Sequence, residues 1–132
     1  MHGMNHENVS LTEAEWKVME CLWEKSPRTG RETTDYLKQQ MDWSRSTTLT
    51  LLRRLEEKGA VVSTDDGRMK QFSPLISRED VSVQETENLL DRAFQGSVIL
   101  LVSSLTKKQK LSQKDIDELY SILDHMEEQN NG

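Results

Sequence analysis

The sequence predicts a mainly α-helical chain with one small β-hairpin, and three observations point that way. Three capped helical patterns follow closely between Thr12 and Gly59, two β-prone runs then flank an Asp-Gly turn, and three further apolar-faced helical segments complete the 132 residues. Three short helices followed at once by a hairpin are the pattern of a winged helix-turn-helix. The segments behind the hairpin predict a helical second domain.

Each element has its own signal. Thr12-Glu13-Ala14-Glu15 is a capping box, with a hydroxyl at the start and a carboxylate three residues on. The helix behind it runs to about Lys25 and carries Trp16, Val18, Met19, Leu22 and Trp23 on a broad apolar face; Ser26-Pro27 stops it. Thr29-Gly30-Arg31-Glu32 repeats the capping signature and opens a second helix through Tyr36, Leu37 and Met41. Asp42-Trp43 breaks the pattern, Ser44 caps a third helix over 45–58, and Gly59 supplies a left-handed C-cap. The runs 60–64 and 68–72 around Asp65-Asp66-Gly67 make the hairpin, which Pro74 ends.

The second half changes character. Ser77-Arg78-Glu79-Asp80 caps a helix bearing Val81, Leu89, Leu90, Ala93 and Phe94, and Gly96 interrupts. Val98, Ile99, Leu100, Leu101 and Val102 form a short helix that is apolar all round. Ser112-Gln113-Lys114-Asp115 caps a last helix with Ile116, Leu119, Tyr120, Leu123 and Met126 on one stripe. Such helices, with no other core at hand, bury their faces against a second copy. The expected dimerisation set is Leu89, Leu90, Phe94, Ile99, Leu101, Val102, Ile116, Leu119, Tyr120 and Leu123. The divisions are then a tail over 1–10, a winged helix over 11–74, a dimerisation domain over 75–128 and a short tail over 129–132.

Composition limits the function. Hydrophobic residues make up 34% and charged residues 30%, so the core within one monomer is lean. The longest apolar run, Val98 to Val102, is far below the roughly 20 residues a bilayer needs. The N-terminus lacks the basic and apolar regions of a signal peptide, so no membrane is expected and the cytoplasm is the expected address. The net charge of −6 opposes a nucleic-acid partner, but its distribution softens the objection. Residues 75–132 hold 6 basic and 11 acidic side chains, against 11 and 12 in residues 1–74. The acidity therefore sits mainly behind the hairpin.

At about 100° per residue, Thr48, Leu51, Leu52 and Leu55 share one face of the third helix, the core side. The opposite face presents Ser46, Leu49, Thr50, Arg53 and Glu57, flanked by Arg45, Thr47 and Arg54. Small polar side chains in the N-terminal half of such a helix fit the major groove of DNA. Ser46, Thr47, Leu49 and Thr50 are the expected base readers, with Leu49 exposed and able to touch a thymine methyl. Arg45, Arg53, Arg54, Arg68 and Lys70 are the expected phosphate contacts, the last two near the wing tip. The competing reading, favoured by the acidic balance, is a winged-helix protein–protein interaction module.

Other constellations are weaker. His2, Met4 and His6 place soft ligands in one short segment and suit a copper or zinc ion, which would make the chain a metal-responsive regulator. Cys21, the one cysteine, reads as a buried structural thiol and excludes an internal disulfide. No nucleophile–base pair supports catalysis, so no enzyme is expected.

Leu11-Thr12-Glu13-Ala14-Glu15-Trp16-Lys17-Val18-Met19 with Leu22-Trp23, then Met41-Asp42-Trp43-Ser44, Thr47, Thr50-Leu51-Leu52, Arg54-Leu55 and Lys58-Gly59, resemble the penicillinase-repressor (BlaI/MecI/CopY) family. The resemblance spans residues 11–128 and is strongest in the first half. It implies a homodimeric transcriptional repressor on a palindromic operator, relieved by a signal. Met41-Asp42-Trp43 looks closer to the family's copper branch, but the paired C-terminal cysteines of that branch are absent. In the β-lactam branch, inactivation by cleavage falls at an Asn-Phe bond; the matching place here is Ser104-Leu105. The family often has a long basic residue where this chain has Leu49.

Overall fold

The computed structural model describes residues 9–108 and 110–131. Its elements are α1 (Glu13–Glu24), β1 (Arg28–Thr29), α2 (Gly30–Met41), α3 (Arg45–Lys58), β2 (Val61–Asp65), β3 (Lys70–Pro74), α4 (Arg78–Ala93), α5 (Val98–Lys107) and α6 (Gln113–Asn131). They divide into two compact units, one ending at Thr86 and the other beginning at Glu87.

The first unit is built on its caps. Thr12 Oγ1 accepts from the Glu15 N–H at 3.1 Å, and Glu15 Oε1 accepts from the Thr12 N–H at 2.8 Å. Thr29 and Glu32 repeat the exchange at 3.0 and 2.8 Å. Each box satisfies backbone donors that the first helical turn leaves without partners. Gly59, at φ 82°, ends α3 in the left-handed region that a Cβ disfavours.

The helical faces close over one core. Val18, Met19 and Leu22 of α1 meet Leu37 of α2, Leu52 and Leu55 of α3, and Val61 and Phe72 of the hairpin. The expected core face of α3 is buried as a whole, Thr48 included. Cys21 is buried too, and desolvation pushes its thiol up to about 11, which leaves it an inert thiol at neutral pH.

The sheet departs from expectation. The strands of the hairpin are Val61–Asp65 and Lys70–Pro74, paired from Val61↔Pro74 to Asp65↔Lys70. A third strand, β1, pairs antiparallel with β3 through Arg28↔Phe72 and Thr29↔Gln71, giving the order β1-β3-β2. Arg28 fixes this junction. Its Nε donates to the carbonyls of Cys21 and Lys25 at 3.2 and 3.0 Å, and its guanidinium lies 4.8 Å from the Tyr36 ring centroid. It thereby satisfies carbonyls at the end of α1.

The core also extends past Pro74, where sequence expectation put the end of the first domain. Ile76 and Val81 are buried within it. Trp23 Nε1 donates to the Ile76 carbonyl at 2.9 Å, and the Arg78 guanidinium stands 4.9 Å from the Trp23 ring. The start of α4 is therefore part of the first unit, because the apolar residues that close its core lie there.

Glu15 does more than cap. It is 2% exposed, and Lys58 Nζ reaches both its carboxylate, at 2.5 Å, and the Ser10 carbonyl, at 2.8 Å. Burial pushes the Glu15 carboxyl up, but the Lys58 hydrogen bond and charge and the Thr12 donors outweigh it and hold it below its ordinary value. A depressed carboxyl stabilises the fold above the ordinary carboxylate range and loses that contribution as pH falls through its folded value. Glu15→Gln should therefore destabilise by about 1–2 kcal/mol at pH 7, the lower range because Lys58 is partly solvated. The difference from the parent should shrink below about pH 4; urea melts across pH measure both.

The second unit has little interior. Neither α5 nor α6 has a buried residue. Ser97 caps α5, its Oγ accepting from the Leu100 N–H at 3.1 Å. Ser112 and Asp115 make a reciprocal cap on α6, at 3.1 and 3.2 Å. The helix expected over 98–102 continues to Lys107. Ile99, Tyr120 and Leu123 are 74%, 65% and 56% exposed. Among the described residues, no helix is long and apolar enough to cross a membrane.

Candidate nucleic-acid interface

α2, the Asp42-Trp43-Ser44 connection and α3 form the helix-turn-helix. Asp42 ends α2 at φ 57°, a left-handed position that Asp tolerates better than most residues. Trp43 packs against the core from the turn, and Ser44 starts α3 by accepting from the Thr47 N–H at 3.2 Å. The Ser44 hydroxyl also meets the hydroxyls of Ser46 at 3.1 Å and Thr47 at 3.0 Å. Three hydroxyls are thus gathered at the exposed N-terminus of α3, where unpaired N–H groups favour an anion.

Beside them lies a shallow hollow of about 280 Å³, lined by Ser46, Thr47, Thr50, Leu51 and Arg54. The structure brings together three of the four expected base readers. Ser46 and Thr47 are exposed and Thr50 is half-buried. Arg45, Arg53 and Arg54 are exposed along the same helix.

Leu49 does not stand where the sequence put it. It is half-buried and packs against the core, and its Cδ2 lies 3.4 Å from the place a Cβ on Gly30 would occupy. The missing side chain at Gly30 lets α2 come close enough to cover it. Helical angle alone could not show this, because a neighbouring helix supplies the cover. Leu49 packs α2 against α3 and is half-buried, where helical angle alone had it exposed.

The wing tip is held by its own acids. Asp65 Oδ1 accepts from the Gly67 N–H at 2.8 Å, and Asp66 Oδ1 accepts from the Arg68 N–H at 3.1 Å. Gly67 sits at φ 95°. These bonds turn Asp65 and Asp66 inward on the loop backbone and leave Arg68 exposed. Lys70, also exposed, stands 6.0 Å from the Phe72 ring centroid. Sequence reasoning did not assign Ser44 to the site; its cap position and the hydroxyls two and three residues on were the available signal.

The remaining expectations fall elsewhere. His2, Met4 and His6 lie outside the described residues. Among the described residues there is no group of three or more His, Cys, Asp or Glu able to hold a metal ion. Ser104-Leu105 lies within α5. Of the expected dimerisation set, Leu89, Ile99, Tyr120 and Leu123 are exposed, while Leu90, Phe94, Leu101, Val102, Ile116 and Leu119 are half-buried.

A helix-turn-helix with polar and basic side chains on its second helix, followed by a wing, defines a winged-helix DNA-binding fold. The penicillinase repressor family model matches residues 11–125. The methicillin resistance regulatory protein MecI of Mammaliicoccus sciuri is 30% identical over 120 residues, covering 91% of this chain and 98% of the relative. The penicillinase repressor of Bacillus licheniformis is 31% identical over 114 residues, 86% of this chain and 89% of the relative. The solution structure of Bacillus licheniformis BlaI, a monomeric form in complex with the blaP half-operator, matches with a TM-score of 0.50 at 32% identity. It covers 55% of this chain and 88% of that one. The chain belongs to the penicillinase repressor family, a family of transcriptional repressors and not of enzymes. These relatives are a methicillin resistance regulator and a penicillinase repressor, and they do not bear on the copper-branch likeness of Met41-Asp42-Trp43.

Proposed function

We propose that this chain is a cytoplasmic transcriptional repressor that binds a palindromic operator as a homodimer and controls a resistance-type operon. The observation that carries the reading is the exposed hydroxyl and arginine surface of α3 beside a wing bearing Arg68. Its fold matches a repressor solved on a half-operator. Ser46, Thr47 and Thr50 read bases, while Arg45, Arg53, Arg54, Arg68 and Lys70 contact phosphates. The half-buried and exposed apolar residues of α4, α5 and α6 join two copies, so that two α3 helices face two half-sites.

The test is a binding titration against duplexes selected by the protein from a random library, each beside a scrambled control. Selected duplexes should be palindromic, and affinity should fall steeply with salt as counterions are released. Thr50→Ala should lose about 1–3 kcal/mol on the selected duplex and little on the control. Arg68→Ala should weaken both alike. A Thr50→Ala variant that keeps the parent's affinity for the selected duplex and for the control alike would exclude α3 as the reader. Salt-independent binding would favour the protein–protein module.

A further inference from the structure

The start of α2 carries a cation to which the repressor reading assigns no role: Arg31, exposed one residue past Gly30. A Cβ on Gly30 would lie 3.4 Å from Leu49 Cδ2 of α3 and 3.8 Å from Phe72 Cε2 of β3. The first turn of α2 is therefore packed where α3 and the second wing strand meet. Arg45 and Arg53 stand one turn before and one turn after Leu49, on the same side of α3. Lys70 Nζ lies 6.0 Å from the Phe72 ring centroid. Three elements thus bring Arg31, Arg45, Arg53 and Lys70 to one junction.

The cations of the first unit divide by partner. Among the described residues, Lys17, Arg28, Lys38, Lys58 and Arg78 form ion pairs with carboxylates. Arg31, Arg45, Arg53, Arg54, Arg68 and Lys70 are among those that form none. The carboxylate beside Arg31, that of Glu32, is taken by the Thr29 N–H at 2.8 Å. Asp35, one turn on, makes no ion pair with Arg31 among the described residues. With 23 acidic residues against 17 basic ones, the chain has carboxylates enough to pair every cation. Basic side chains gathered without carboxylates in such a chain are free to meet an outside anion, and phosphate is the anion that DNA presents.

We propose that Arg31 is a positioning residue whose guanidinium holds a phosphate of the operator backbone from α2, beside the phosphates held by α3 and the wing. The inference rests on the operator-binding reading and deepens it. A hold from a second helix fixes the angle and register at which α3 enters the groove, and it reads no base itself. A guanidinium suits this task because it stays charged and offers a phosphate two parallel donors.

The test titrates the full-length protein with the selected and scrambled duplexes across a salt series. Arg31→Ala should weaken binding to both duplexes about tenfold. It should also lower the slope of log affinity against log salt by about one, the signature of one lost phosphate contact. Arg31→Lys, which keeps the charge, should keep the parent slope. Lys17→Ala removes the same charge from α1, where Lys17 pairs with Glu20 at 3.6 Å, and should leave the slope unchanged. The melting temperature of Arg31→Ala should match the parent, since no partner is lost. An unchanged slope in Arg31→Ala, or an equal change in Lys17→Ala, would overturn the assignment and leave the repressor reading in place. A loss confined to the selected duplex would overturn it too, by making Arg31 a base reader. A parent chain that binds neither duplex would overturn both readings.

Discussion

Cutting the chain after Thr86 is expected to leave a folded monomer whose operator affinity is about 10²- to 10⁴-fold below that of the full-length protein. The second unit carries large apolar side chains that its own helices do not bury. Ile99, Tyr120, Ile122, Leu123 and Met126 are each more than half exposed. Large apolar side chains left exposed in such number mark an association face. Once two copies are joined, the second half-site contact occurs at high effective concentration, and this advantage disappears with the cut. Sedimentation paired with operator titration measures both quantities. A full-length chain that stays monomeric at micromolar concentration would refute the dimer, as would a shortened chain that binds the operator equally well.

Cutting twelve residues earlier, after Pro74, should have a different outcome: loss of the fold. Ile76 and Val81 are 3% and 0% exposed, and each contributes about 1.5–3 kcal/mol by burial. The Trp23 indole would lose its acceptor at Ile76, and the Ala60 carbonyl would lose the Leu75 N–H that donates to it at 2.8 Å. Together these approach the roughly 5–15 kcal/mol that holds a small domain. The melting temperature should fall by about 20 °C or more relative to the longer fragment. Equal melting temperatures for the two fragments would show that α4 contributes nothing to the first unit. The pair of cuts also separates the causes, because only the longer fragment tests dimerisation without disturbing the core.

Most of the helical architecture was legible because its signals are local. Thr12 with Glu15, Thr29 with Glu32, and Ser44 before α3 act within one turn, so each cap could be read from adjacent residues. The apolar face of α3 followed from helical spacing alone, and Thr48, Leu51, Leu52 and Leu55 are buried as that spacing requires. The hairpin was legible from its turn, although its second strand starts at Lys70 because Asp66 accepts from both Arg68 and Met69 and holds them in the loop. The polar readers on α3 were also visible, since small hydroxyl residues at the start of an amphipathic helix stand out against its core face.

The sequence by itself determined the helices, their caps, the hairpin and the side of α3 that faces inward, because backbone hydrogen bonding and side-chain period are short-range. Only the tertiary structure decided what depends on distant partners. A strand of two residues, Arg28–Thr29, has no period to detect and exists because β3 offers an edge. Leu49 is covered because Gly30, on another helix, leaves room for it. Glu15 serves both its own cap and Lys58, 43 residues away, and only folding brings that ammonium to it. The first unit ends within α4 because Ile76 and Val81 are needed to close a core formed by residues far earlier in the chain.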